Sequence, residues 1–447
     1  MKNIFSALCA LFAFCCLSMS AFAEGGMGFS NPGAFSVDFS KPGFDFTGGG
    51  NSSLDSRKYH CRLTHEAQKV NKLAFDLYKS VQAEGEGENL VFSPYYLYRI
   101  LGDLQFCSEG DLSEQIGKVL QNSGADNREF LKSLENKDYL KSASSLWANS
   151  SRELNKKFLK DASEKIGLEV LCENWKNEEP LREKIFAWVN SRSDILGDDC
   201  DILVNAMLQN LNLSDESAAV LMSISGFDAD WKVPFDKEET KLGTFHYGEN
   251  LSEKGEVYFM QREGADISLT SGEHFDFALI PYKGKSYSMV FAKPKGNVNL
   301  SELTQEEFEK SLLELGEQQA KGKSNSKIYL PKFDIKISIN YASFLKNLGI
   351  DIYSFNESKI YLGKDKNLKI EQFLDFTHIV VDELSTKVRN MEVVVMYFCT
   401  PEVLRLDEPF MFFIVENKSG AIIYMGRFCK PQTMKKKNVE PFFERLF

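Results

Sequence analysis

What most limits the folds open to this chain is its ending: four strand-like runs, at 376–383, 391–398, 409–416 and 421–428, rich in β-branched and aromatic residues. Strands need backbone partners, and further runs of this kind lie far upstream, at 143–148, 218–225, 254–260, 275–281, 287–293 and 327–337. Helical spacing dominates earlier. His65 to Ala83 places Val70, Leu73, Ala74, Leu77 and Val81 on one face. Ser93-Pro94 reads as a helix cap followed by proline at the first helical position, leading into Tyr96, Ile100, Leu101 and Leu104. Asp111 with Glu114 predicts a capping box ahead of Ile116, Val119 and Leu120. Further helices are predicted at 153–166, 181–192, 304–316 and 340–348. Helices first and many non-local strands later describe an α+β protein, with helices packed around large mixed β-sheets. No internal period and no linker divides the chain after residue 64, so one large domain is expected.

The ends are different. Lys2, an apolar run from Ile4 to Met19 and the small-x-small pattern Ala21-Phe22-Ala23 read as an export signal over residues 1–23. A membrane anchor fits less well, because the run is short and Glu24 and a glycine cluster follow it. No stable membrane insertion is expected. Residues 24–63 form a Gly/Phe-rich leader or linker, with Pro32 and Pro42 punctuating it too often for regular structure. Residues 432–447 form a C-terminal tail with Lys435-Lys436-Lys437 before an aromatic stretch, and a frayed end is the simpler reading. The formal charge of −11 excludes the basic surface that a nucleic-acid partner requires.

Export leaves Cys61, Cys107, Cys172, Cys200, Cys399 and Cys429 in the mature chain. Their spacing does not choose a pairing; one or two bridges plus buried free thiols is the plainer reading. No Cys-x-x-Cys occurs, and the five histidines show neither a metal-ligand pattern nor triad spacing. Gly322-Lys323-Ser324 has its upstream glycine misplaced for a phosphate-binding loop and reads as a surface loop. No cofactor and no metal is expected, and nothing in these residues reads as an enzyme.

The C-terminal quarter carries a specific likeness. Val381-Asp382-Glu383-Leu384-Ser385-Thr386, a variable stretch, then Leu404 to Ile414 with Asp407, Pro409 and Phe410, and finally Ile422 to Phe428 resemble the end of a serpin. Phe75-Asp76-Leu77-Tyr78, Asn89 to Pro94, Trp188-Val189-Asn190, Trp231 ahead of Pro234-Phe235, and Leu330 to Ile335 follow in the family's order. The likeness spans about residues 64–431 and departs at Glu408, where the family usually has a basic or polar residue.

The resemblance implies the serpin fold with an exposed reactive loop, and a secreted inhibitor (periplasmic in a bacterium) that is monomeric yet prone to polymerise. Its partner would be a protease of the serine or cysteine class. The implied loop runs from about Ser385 to Arg405. Cleavage would let it enter the large sheet as a strand, so every second side chain must tolerate burial. The hinge, Ser385-Thr386-Lys387-Val388-Arg389-Asn390-Met391-Glu392, keeps Thr386 but lacks the family's glycine and alanines. With Thr386 facing in, Val388, Asn390, Glu392, Val394 and Met396 face in too, while Lys387 and Arg389 face solvent. Glu383 precedes the hinge, and Ser93 and Trp231 fall at implied shutter and breach positions. Two further shutter positions depart from the family: Ser223 for a usual asparagine and Asp375 for a frequent histidine. The apolar upper loop places the candidate scissile bond at Tyr397-Phe398, Phe398-Cys399 or Cys399-Thr400, bait for a hydrophobic or aromatic specificity pocket. A non-inhibitory serpin (binding protein, chaperone or decoy substrate) is the alternative that the altered hinge raises.

Overall fold

The computed structural model describes residues 63–431 and 444–446, apart from 83–84, 86, 123–127, 136–137, 177, 198–199, 215, 322–324, 354–355 and 384–401. All of them fall in one compact unit, Arg57–Phe447. The helices are α1 His65–Gln82, α2 Pro94–Cys107, α3 Gly110–Leu120, α4 Arg128–Leu134, α5 Lys156–Ile166, α6 Glu178–Asn190, α7 Ser193–Leu196, α8 Cys200–Asn210, α9 Gln305–Lys321 and α10 Ala342–Asn347. The strands are β1 Leu90–Phe92, β2 Leu140–Asn149, β3 Glu169–Glu173, β4 Ala219–Phe227, β5 Lys241–Tyr247, β6 Glu253–Gly264, β7 Ser268–Ser271, β8 Phe275–Pro281 and β9 Tyr287–Pro294. They continue with β10 Ser326–Pro331, β11 Phe333–Asn340, β12 Asn356–Glu357, β13 Asn367–Leu368, β14 Leu374–Val381, β15 Glu402–Arg405, β16 Phe410–Glu416, β17 Ile422–Phe428 and β18 Glu444–Leu446.

The apolar C-terminal runs become central strands. In the six-stranded sheet β1-β17-β16-β9-β8-β7, β16 is buried along its whole length. A strand covered on both faces reads as a continuous apolar run, which is what 409–416 shows. Phenylalanines fill the layer around it: Phe308 lies 4.3 Å from Phe413, and Phe333 lies 5.1 Å from Phe412 and 5.4 Å from Phe428. Each such ring stabilises the fold by roughly 1.5–3 kcal/mol relative to exposure. A second sheet has the order β15-β10-β6-β5, with β15 parallel to β10. Two three-stranded sheets, β3-β2-β4 and β14-β11-β18, hold the remaining long strands.

Two local expectations change. The run 327–337 is not one strand. It breaks at Lys332, whose amide turns to Tyr258 O, so β10 and β11 join different sheets. Asp111 does not cap its helix. The helix starts at Gly110 with Glu109 ahead of it, held by a 2.7 Å bond from Glu109 N to Glu357 O, so a tertiary contact displaces the local box. Ser93 does cap α2, accepting from Tyr96 N at 3.2 Å. The backbone around Gly226 leaves no room for a side chain: a Cβ there would come within 1.7 Å of Ile195 O, because α7 lies against β4.

Candidate functional site

β4 and β14 each stand at an edge of their sheet among the described residues. Among the described residues no backbone ladder joins them, yet side chains tie them together at both ends. Ahead of the strands, Gln372 donates Nε2 to Asn210 O at 2.9 Å and accepts from Asn212 N at 2.8 Å. Beyond them, Trp231 donates Nε1 to Asp382 O at 2.9 Å. Tyr424 of β17 lies beneath: its hydroxyl is 3.3 Å from Ser225 Oγ on β4, and the charge of Asp375 on β14 helps push it up to about 12, behind the larger effect of burial. Two edges clamped at both ends, with no ladder between them among the described residues, border a slot for an added strand, because a strand edge can pair its backbone with another strand.

The residues singled out in the sequence gather around this slot. Ser93 donates Oγ to Ile423 O at 2.6 Å, locking α2 to β17. Ser223 accepts from Ser144 Oγ at 3.1 Å and so holds β4 to β2. Asp375 takes the Thr377 hydroxyl at 2.8 Å and a hydrogen bond from Tyr341. Burial nevertheless pushes its carboxyl up to about 6. Trp231 is buried, stacked on Tyr282 at 4.7 Å and edge-on to Phe235.

Glu383 is the last described residue before position 384. Its carboxylate is buried and accepts from Lys332 Nζ at 2.6 Å and from Thr240 Oγ1 at 2.7 Å. Burial alone would raise its pKa, but these hydrogen bonds outweigh that and lower it. The near root of the segment 384–401 is therefore pinned beside the slot. Glu383→Gln should cost about 1–2 kcal/mol at neutral pH, since Lys332 is partly solvated. A carboxylate with a lowered pKa stabilises above its unfolded pKa, so the deficit should vanish as pH falls through the lowered folded value. Urea unfolding of both forms at pH 7 and pH 3 measures it; an equal deficit at both would refute the ion pair.

The far root is β15. Asp407 accepts from His246 N through its backbone at 2.8 Å and from Lys293 Nζ at 3.0 Å, and forms an ion pair with Arg405 at 3.1 Å. Lys293 also reaches Glu408 at 3.3 Å, which accounts for an acid where a basic or polar residue is usual. Pro409 leads into Phe410, fully buried against Phe291, Phe333 and Phe428. Ser385, Thr386, Lys387, Val388, Arg389, Asn390, Glu392, Tyr397, Phe398, Cys399 and Thr400, and with them the run 391–398, lie outside the described residues.

Sequence reasoning missed Gln372, Tyr424, Thr240 and Lys332, because each acts through a partner distant in the chain. Cys107 is a buried free thiol, Cys172 is an exposed one and Cys429 is buried; the side chains of Cys61, Cys200 and Cys399 lie outside the described set. Among the described residues no group of His, Cys, Asp and Glu could hold a metal ion, and no helix is long and apolar enough to cross a membrane.

The family described as serpin (serine protease inhibitor) matches residues 68–431. Mouse neuroserpin is 24% identical over 83% of this chain and 93% of its own length. Plasminogen activator inhibitor 1 of Neovison vison is 25% identical over 82% and 94%. Among solved structures, a tumour-suppressing serpin superposes with a TM-score of 0.65 at 23% identity, covering 82% of this chain and 99% of that one. Native protease nexin-1 with heparin superposes with a TM-score of 0.64 at 21% identity, covering 82% and 99%.

Proposed function

We propose, from the premise that this chain belongs to the serpin (serine protease inhibitor) family, that it is a secreted inhibitor acting as a suicide substrate. The observation that carries the reading is the slot: β4 and β14 clamped at both ends with no ladder between them among the described residues, beside the pinned root at Glu383. The protease nucleophile, a serine hydroxyl or cysteine thiol, attacks a carbonyl within Tyr397–Thr400. A (thio)ester forms, the peptide C–N bond breaks, and the leaving amine takes a proton. The freed segment then enters the slot as a strand antiparallel to both edges and carries the acylated protease with it before water can deacylate it. Val393 to Thr400 holds aromatic residues and no basic one, so the target has a hydrophobic or aromatic specificity pocket. The chain is not itself an enzyme in this reading, and residues 1–23 supply its export.

A second reading, a non-inhibitory serpin that binds or decoys, is favoured by the hinge, which lacks glycine and alanines and carries Glu392. One experiment separates them. The mature protein is mixed with chymotrypsin-like, elastase-like and papain-like proteases and run on a denaturing gel. An SDS-stable band at the summed mass is expected, with a rise in the melting temperature of the cleaved form. Cleavage within Tyr397–Thr400 with neither complex nor thermal gain would establish the second reading instead.

A further inference from the structure

The family match ends at residue 431, but the chain continues to Phe447. Part of that continuation is a strand. β18 pairs parallel with β11 in the register Ile337↔Glu444, Ser338↔Arg445, Ile339↔Leu446. On its other side β11 pairs with β14 along its entire length, from Phe333↔Val381 to Asn340↔Leu374. The edge that β18 covers is therefore the outer edge of the half-sheet that borders the slot. β11 is a strong template for another strand: Ile335, Ile337 and Ile339 are fully buried, so its position and register are held firmly by the core. An open edge of that kind recruits strands from other chains unless something covers it. The chain between Asn340 and Glu444 is far longer than the crossover that parallel pairing of β11 with β18 demands.

We propose that the C-terminal extension is a built-in edge guard: Glu444–Leu446 occupies the outer edge of β11 and keeps a second copy of this chain from pairing there. The guard covers three positions, so it is held by few hydrogen bonds and can be displaced or clipped. Loss of residues 432–447 then frees a strand-accepting edge without touching the slot between β4 and β14. This role is independent of whether the reactive loop traps a protease.

The test compares the mature protein with a form ending at Pro431 and with a full-length R445P/L446P variant, in which the added strand loses backbone donors. Hydrogen exchange read by mass spectrometry should show the amides of Ile337–Ile339 that point away from β14 exchanging at least about tenfold faster in both variants. Both should form more oligomers than the parent on mild heating. A synthetic peptide of residues 432–447, added to the truncated form, should restore protection and the monomer. Unchanged exchange at Ile337–Ile339 would overturn the proposal, as would faster exchange with no rise in oligomers. A concentration-dependent dimer of the parent that truncation dissolves would also overturn it, because the tail would then pair in trans. The full-length proline variant keeps the result readable if the truncated form fails to fold.

Discussion

In the double variant Arg389→Ala, Glu392→Ala, the share of protease trapped as covalent complex should rise, and the share of inhibitor merely cut should fall. In the proposed mechanism strand insertion races deacylation once the acyl-enzyme has formed, so any barrier on insertion would move product from the trapped to the cut form. Side chains of an inserted strand alternate between the two faces of the sheet. Entry with Thr386 inward carries Glu392 inward as well, and burying an unpaired carboxylate costs several kcal/mol or forces its protonation. Near 25 °C each 1.4 kcal/mol taken off that barrier changes the rate about tenfold. Glu392→Ala alone should supply nearly all the gain, because Arg389 faces solvent in the same register. Densitometry of complex against cleaved band, at fixed protease, measures the partition. An unchanged ratio, or a gain that comes equally from Arg389→Ala alone, would show that the hinge does not enter the sheet in this register.

Asp375→Asn should stabilise the uncleaved protein at pH 8 by about 1–3 kcal/mol and flatten its stability between pH 4 and pH 7. The Asp375 carboxyl is pushed from 3.8 up to about 6 because burial beside the slot outweighs the hydrogen bonds it receives from Thr377 and Tyr341. A carboxyl raised in the folded state stabilises fully below its unfolded pKa, and that contribution is lost as pH rises through the folded value. The parent should therefore weaken from pH 4 to pH 7, while the amide, neutral throughout, does not. Tyr341, Thr377 and Tyr424 face this carboxyl, and the two tyrosines remain protonated across the window. Urea unfolding at pH 4, 6 and 8 decides it, and identical curves for the two proteins at pH 8 would refute the assignment. The two substitutions also separate cause from place: Glu392 acts only on insertion, whereas Asp375 acts on the sheet before cleavage.

The altered positions gain meaning from their neighbours. Glu408 departs from the family pattern, but Lys293 stands within 3.3 Å of it, so the exchange of charge is answered on β9. Ser223 retains a side-chain bond across to β2 through Ser144, so that half of the slot stays anchored. Asp375 has no such cationic answer among the partners that shift its carboxyl, which is why the second prediction falls there.

The α+β class, the order of the main elements, the cap at Ser93 and the central strands 410–416 and 422–428 were all legible in the amino-acid sequence. Those features rest on nearest-neighbour sterics and on burial repeating at a fixed period, and both are written locally. Arg128–Leu134 escaped it because two turns give little period to read, and Cys200–Asn210 escaped it because its apolar residues are not gathered on one face. The split of 327–337 between two sheets at Lys332, and the meeting of Glu383 with Lys332 and Thr240, came from long-range packing. It alone decided that Trp231 closes the slot on Asp382 and that the C-terminal residues 444–446 return to β11. The reason is the same in each case: a strand's edge and a buried charge take partners from anywhere in the chain, and no local pattern records which partner arrives.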